Sequence, residues 1–291
     1  MPGVSTIIMD GKIFMHEIGT SRRPDWQLAV VIGAGGMGMP VARRLSQSYR
    51  ILIADIDGAR AATAAQGLCD EGGDAVAATC DVTDPASVGA LARMVGERGP
   101  FRVLAHVAGL SPSLADFPTI IRVNLLGPAL VTKALLPHAS KGTAAVMIAS
   151  LAAHNVHPAE QVEAILREVD RTDIAERLAA ELGPDECTPA KAYSLSKHAL
   201  LGLCRREAAA WGGQGARIVS LSPGLIATPQ GATEFANNPR KHQLLARTPL
   251  SREGTMQEIA NAVEFLVSDR ASFISGSDLL VDGGLAGTLY P

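Results

Sequence analysis

Short, mostly apolar runs alternate along this chain with stretches in which apolar residues recur at helical spacing. The runs Leu28–Ile32, Ile51–Ala54, Ala75–Thr79, Arg102–His106, Ala144–Ala149, Arg217–Leu221 and Asp278–Val281 have the length of strands. Helical patterns over Met37–Gln47, Ala59–Glu71, Pro85–Arg98, Pro118–His138, Pro189–Trp211 and Thr255–Ser268 separate most of them. Strands apolar on both faces and joined by crossovers of helical length predict a parallel sheet covered on both sides. The expected fold class is therefore α/β: a single doubly wound Rossmann domain, residues 28–291, with a seven-stranded parallel sheet. Residues 1–27 precede it as an N-terminal extension, in which Ile7–Phe14 around Asp10-Gly11 suits a small hairpin.

Composition narrows the class. With 29 Gly, 47% hydrophobic and only 4% aromatic residues, the chain suits thin apolar strands and Ala-rich helices. Its 29 Asp and Glu nearly balance 26 Lys and Arg, and the net charge of −3 removes the broad positive field of a nucleic-acid binder. Cys69, Cys80, Cys187 and Cys204 are scattered without paired spacing, so neither a disulfide framework nor a zinc site is expected. No apolar run reaches the roughly 18 residues of a membrane span, and the N-terminus lacks the layout of a signal peptide. A cytoplasmic protein with neither nucleic-acid nor membrane partners is expected.

Candidate chemistry begins at Gly33-Ala-Gly-Gly-Met-Gly38, between the first strand and the first helix. Gly33, Gly35 and Gly38 have G-x-G-x-x-G spacing, with Gly36 and Met37 in the same loop. One Gly makes the tight turn, one lets the backbone approach a pyrophosphate, and one allows strand and helix to pack closely. The helix start presents free N–H groups to the phosphates. Asp55 ends the second strand 22 residues after Gly33, where a carboxylate can accept both ribose hydroxyls of adenosine and repel a 2′-phosphate. No Lys or Arg lies inside the loop, although Arg60 is near, so NAD is expected over NADP. The plainer alternative is a solvated Asp closing a strand.

Tyr193-Ser-Leu-Ser-Lys197 places a phenol and an ammonium four residues apart, hence on one helix face. A cation held beside a phenol favours its ionised form, as a general acid/base needs. Ser150 ends the strand Val146–Ala149 at the carboxyl edge where such sheets bind ligands, and Asn124 sits within a helical stretch with no capping role. Each has a bland alternative: a chance Tyr-x-x-x-Lys, a turn-forming Ser, a solvated Asn.

Taken together and in this order, these residues resemble the short-chain dehydrogenase/reductase family from Leu28 to Gly284. Further landmarks are Cys80-Asp-Val82, Ala105-His-Val-Ala-Gly109, Ser222-Pro-Gly-Leu-Ile-Ala-Thr228 and Ser275-Gly-Ser-Asp-Leu-Leu-Val-Asp-Gly-Gly284. The resemblance implies that Asp81 and Val82 bracket the adenine, and that Ile226 and Thr228 hold the nicotinamide carboxamide. It places Ala108, Gly109, Pro223 and Gly224 along the cofactor as well. Tyr193 and Lys197 join them, Lys197 through the nicotinamide ribose hydroxyls. In catalysis it implies Tyr193 as acid/base, Lys197 tuning it, Ser150 bonding the substrate oxygen, and Asn124 ordering a proton-relay water.

Three departures carry expectations of their own. The family loop G-x-x-x-G-x-G is one residue shorter here, at Gly33, Gly36 and Gly38, so the phosphate turn is expected to differ. The usual Asn-Asn-Ala-Gly is His106-Val-Ala-Gly109, with His106 read as a substituted scaffold residue. Ser150 and Tyr193 stand 43 residues apart where the family has about a dozen. Within this insertion, 154–188, the patterns Val162-Ile165-Leu166-Val169 and Ile174-Leu178-Leu182 predict two helices, the second stopped by Gly183-Pro184. Its nine acidic and three basic residues between Pro158 and Glu186 are read as a solvated face. His154 and His157 lack a carboxylate or Cys cluster to complete a metal site, so no metal is expected.

An insertion of this size, with Ala209-Ala-Trp-Gly212 and the Pro223-Gly turn, resembles the bacterial 3α-hydroxysteroid dehydrogenase/carbonyl reductase subgroup. The implied function is NAD-dependent interconversion of a secondary alcohol and a ketone, on a bulky apolar steroid-like or xenobiotic substrate. The alternatives are an NADP-linked 3-oxoacyl thioester reductase and a nicotinamide-sensing protein without turnover. The insertion is expected to act as a helical lid and to obstruct the helix-pair interface through which relatives form tetramers. A homodimer through Thr255–Ser268 and the last strand is expected instead, with a tetramer as the alternative.

Overall fold

The computed structural model describes residues 4–9, 12–17, 25–99, 101–228 and 239–289. Near the N-terminus β1 (Val4–Met9) and β2 (Lys12–Glu17) pair antiparallel, with Ile7 opposite Phe14. This is the hairpin expected around Asp10 and Gly11, which themselves lie outside the described residues.

Strands and helices then alternate. First come β3 (Leu28–Ile32), α1 (Gly38–Leu45), β4 (Arg50–Asp55), α2 (Gly58–Asp70), β5 (Ala75–Thr79), α3 (Pro85–Glu97) and β6 (Phe101–His106). Next are α4 (Phe117–Ile121), a π-helical turn (Arg122–Leu126), α5 (Gly127–Leu135) and β7 (Ala144–Ile148). The insertion follows as α6 (Glu160–Arg167) and α7 (Ile174–Leu182), and then α8 (Pro189–Gly213) and β8 (Arg217–Pro223). The last elements are β9 (Ile226–Ala227), α9 (Pro239–Arg247), β10 (Gly254–Thr255), α10 (Met256–Val267), β11 (Asp278–Val281) and α11 (Leu285–Leu289).

Seven strands form one parallel sheet in the order β11-β8-β7-β6-β3-β4-β5. Every residue of β3 is buried, because its two faces feed two cores. Ala29 and Val31 share one with Val41, Leu45, Ile259 and Val263, while Val30 and Ile32 share the other with Leu91, Ile120 and Leu125. That double burial is what makes the strands read as unbroken apolar runs. Local signals set the helix starts. Asp84 accepts from the N–H groups of Ala86 and Ser87 ahead of Pro85, and Thr255 and Glu258 form a reciprocal capping box.

The strand order reverses between β3 and β6, and ligands of such sheets bind in the crevice at that reversal. The Gly loop follows β3 and Val107–Gly109 follows β6, so both line it. The run Phe117–His138 is long and apolar enough to cross a bilayer by composition, yet 61% of it is buried inside this molecule, as befits a core helix.

The insertion helices lie on the outer side of α4 and α8. Val162, Ile165, Leu166, Val169, Ile174 and Leu178 join the same core as the sheet's helices, so the neighbouring helix surface takes up their apolar faces. The acidic face is less purely solvated than its composition predicts. Glu176 pairs with Arg122, Asp170 with Lys133 at 2.8 Å, and Glu163 with His198 at 3.2 Å, each reaching from the insertion to the body. Gly183 closes α7 with φ +77°, the left-handed conformation for which glycine is suited.

Candidate active site

At the Gly loop two glycines are sterically required. Gly33 has φ +101°, and a Cβ there would stand 2.8 Å from Ala108 N; one on Gly38 would stand 1.8 Å from Gly33 O. Gly33 therefore serves the turn and Gly38 the strand–helix contact. A Cβ on Gly35 or Gly36 would meet nothing within 4 Å, so their open side is where a phosphate can approach the backbone. Met37 caps α1 without a side-chain bond, and Met39 N already donates to Gly35 O at 3.1 Å, so the N–H groups ahead of Met39 are the ones placed to meet a ligand.

Asp55 departs from the plainer of the two readings made of it. It is only 7% exposed, so it is no solvated strand end. Both oxygens are engaged: Oδ2 accepts from Ala34 N at 2.7 Å, and Oδ1 accepts from Asp57 N at 2.9 Å and from Arg60 Nη1 at 3.3 Å. The carboxylate thus braces the Gly loop and keeps room for further hydrogen bonds. Arg60, which also reaches Asp57, shares its charge and softens the repulsion of a 2′-phosphate. Nearby, Asp81 Oδ1 accepts from Thr83 N at 2.8 Å and Thr83 Oγ1 at 2.7 Å. Val82 is buried against Gly127, where a Cβ would come within 2.6 Å of it.

The crevice floor is tied across the reversal, since Val107 N and Ala108 N both donate to Ile32 O. Asn124 is fully buried in the π-helical turn, a local widening common at functional sites. Its amide makes a closed pair with Leu110: Oδ1 accepts from Leu110 N at 2.7 Å and Nδ2 donates to Leu110 O at 2.9 Å. A Cβ on Gly109 would lie 3.2 Å from Asn124 Oδ1 and 3.4 Å from Lys197 Nζ, so only a glycine fits comfortably between them.

Lys197 Nζ donates to Ile148 O at 2.7 Å and stands 5.8 Å from the centre of the Tyr193 ring. Burial holds its pKa down at about 8. Two residues beyond Ile148, Ser150 caps the short turn Leu151–Asn155, its Oγ accepting from Ala152 N at 3.2 Å. The bland role foreseen for this serine is therefore one it performs, and its hydroxyl proton stays available to donate.

His106 sits at the end of β6 between Ile32 and Met147. It is buried, its Nε2 has no partner among the described residues, and burial with the nearby Lys197 charge pushes its pKa down to about 3. A ring held neutral suits the scaffold reading. The unfolded chain takes up this proton near pH 6.5, so stability falls as pH drops from there toward 3, by up to about 1.4 kcal/mol per unit. His106→Asn is expected to flatten the urea midpoint over that window; an unchanged slope contradicts the assignment.

On the far side, Gly224 N donates to Val281 O at 3.0 Å, and a Cβ on Gly224 would stand 2.6 Å from Asp282 Cα. The Pro223-Gly224 turn is thereby pinned to the end of β11. Ile226 lies in β9, paired with β10, and Thr228 follows it. His154 Nε2 lies 3.0 Å from Asp278 Oδ2 and 3.3 Å from Ser222 Oγ. Among the described residues no three His, Cys, Asp or Glu side chains gather as metal ligands would. The Asn124–Leu110 pair and the His154 contacts are not legible in the sequence, because the first depends on a local helix defect and the second joins residues far apart along the chain.

The family model described as enoyl-(acyl carrier protein) reductase matches residues 32–189 and 185–286. Short-chain dehydrogenase/reductase bsc3 of Alternaria brassicicola is 30% identical over 259 residues, covering 88% of this chain and 94% of its own. The 3-alpha-hydroxysteroid dehydrogenase/carbonyl reductase of Comamonas testosteroni is 31% identical over 192 residues, 65% of this chain and 74% of its own. Among solved structures, the 3-alpha-hydroxysteroid dehydrogenase from Pseudomonas sp. B-0831 complexed with NADH superposes with a TM-score of 0.73. It is 26% identical, and the match covers 91% of this chain and 98% of that one. The chain belongs to the short-chain dehydrogenase/reductase family of oxidoreductases. Its open Gly loop, with a buried carboxylate at the next strand end, fits a nicotinamide dinucleotide.

Proposed function

We propose that this chain is an NAD-dependent oxidoreductase interconverting a secondary alcohol and a ketone, with a bulky apolar carbonyl compound as substrate. The observation that carries this reading is the buried Lys197, held beside the Tyr193 ring by Ile148 O, two residues before Ser150. A nicotinamide dinucleotide held along the Gly loop and Asp55 would supply or take the hydride. Tyr193 moves the proton at the substrate oxygen, and the Lys197 charge favours its phenolate form. Ser150 donates to that oxygen as charge develops on it. Asn124 holds the Leu110 backbone through both amide atoms, and ordering a proton-relay water is the role assigned to it here.

The cofactor preference rests on Asp55. Asp55→Ala is expected to weaken NAD binding by roughly 2–4 kcal/mol, the value of two hydrogen bonds to a charged acceptor, and to narrow its preference over NADP. Arg60 favours a second reading, an NADP-linked 3-oxoacyl thioester reductase. Comparing kcat/KM with NAD and NADP decides between them, and a wild-type preference for NADP overturns the first.

The insertion covers the outer faces of α4 and α8. The fully exposed Phe273, with Phe265 on α10 and Leu280 on the edge strand β11, offers another surface for self-association. A solution mass of two subunits is the expected result. A tetramer joined through α4–α5 and α8 contradicts it.

A further inference from the structure

The turn that carries Ser150 has few bonds of its own: Ala153 N donates to Ser150 O at 2.9 Å and Ala152 N to Ser150 Oγ at 3.2 Å. Leu151–Asn155 is a single short 3-10 stretch, and such stretches have poor intrinsic hydrogen-bond geometry. Its other fixed points come from elsewhere: Ala153 is buried in the core with its carbonyl 3.3 Å from His198 Nδ1 on α8, and His154 reaches out of the turn to β8 and β11. A single imidazole nitrogen, Nε2, lies within reach of both Asp278 Oδ2 and Ser222 Oγ.

Both partners matter. Ser222 is fully buried and directly precedes the Pro223-Gly224 turn, which the end of β11 pins from its other side. Asp278 begins β11 with its side chain only 8% exposed, and its Oδ1 has no partner among the described residues. A buried carboxylate with one oxygen unpaired depends heavily on the partner of the other, which here is His154. Three residues separate His154 from Ser150 on one side of the site; none separates Ser222 from the cofactor turn on the other.

We propose that His154 is a positioning residue that clasps the Ser150 turn to Ser222 and Asp278, fixing the serine hydroxyl relative to the nicotinamide turn. The clasp touches neither substrate nor cofactor. It acts through distance: reaction geometry is sensitive enough that about 1 Å of misplacement costs roughly a hundredfold in rate. This inference rests on the oxidoreductase reading above.

The test uses the full-length enzyme and two variants. Removing His154 alone strands the Asp278 charge and risks unfolding, so His154→Leu is combined with Asp278→Leu, an apolar replacement that buried ion pairs commonly tolerate. His154→Gln keeps a side-chain donor. The double variant is expected to lose about tenfold or more in kcat while its cofactor Kd, read by quenching of intrinsic fluorescence, stays within about twofold. His154→Gln is expected to recover most of kcat. A folded double variant with wild-type kcat reduces the pair to a structural role and overturns the clasp, as does a Gln variant no faster than the double one. Wild-type enzyme without any turnover overturns the oxidoreductase reading and the clasp with it; turnover unchanged by the variants overturns the clasp alone.

Discussion

Tyr193→Phe is expected to lose roughly a thousandfold in kcat while binding the nicotinamide dinucleotide as wild type does. The substitution leaves the ring beside Lys197 in place and removes only the oxygen that carries the proton. Positioned acid/base groups contribute about 10²–10⁴-fold, which sets the size of the loss. The ring's packing against the core survives, so the unfolding midpoint should barely move. A variant keeping a tenth of wild-type activity contradicts the assignment.

Lys197→Met is expected to separate activity from stability. The rate should fall by roughly a hundredfold or more, because no cation remains to favour the phenolate. Stability at pH 7 should change little. Ile148 O loses its donor, worth about 1–3 kcal/mol, but the buried ammonium is itself disfavoured. Its pKa of about 8 lies below the ordinary 10.5, so the unfolded chain binds the proton more tightly between those values. Wild-type stability therefore rises with pH from about 8 to 10.5, by up to about 3 kcal/mol, and the Met variant should lack that rise. Denaturant titrations across that range, with kcat measured alongside, check both halves. A parallel rise in the variant shows that Lys197 is not the group responsible.

The sheet was legible because burial on both faces leaves an unmistakable pattern. The runs Leu28–Ile32, Ala75–Thr79 and Asp278–Val281 are strands over the same residues, and the others shift by a residue or two. The insertion helices were legible from their apolar spacing, Ile174–Leu182 without any shift. The π-helical turn was not, since the residues Arg122–Leu126 favour an ordinary helix, and the pairing of Asn124 with Leu110 that accompanies the widening spans 14 residues. Asp55 was legible as a carboxylate at a strand end with Arg60 near it, but its hold on Ala34 N, 21 residues back, is a tertiary fact that spacing does not encode. His154 drew notice as half of a metal pair; its partners Ser222 and Asp278 lie 68 and 124 residues away.

The most direct test of the account is hydride transfer itself. A panel of bulky secondary alcohols and ketones is to be incubated with NAD or NADH, following reduced nicotinamide by absorbance with wild type and Tyr193→Phe side by side. The account predicts substrate-dependent oxidation or reduction of the nicotinamide by wild type, nearly abolished in the variant although the variant binds the cofactor. Cofactor binding without turnover across the panel, or equal turnover by both proteins, contradicts it.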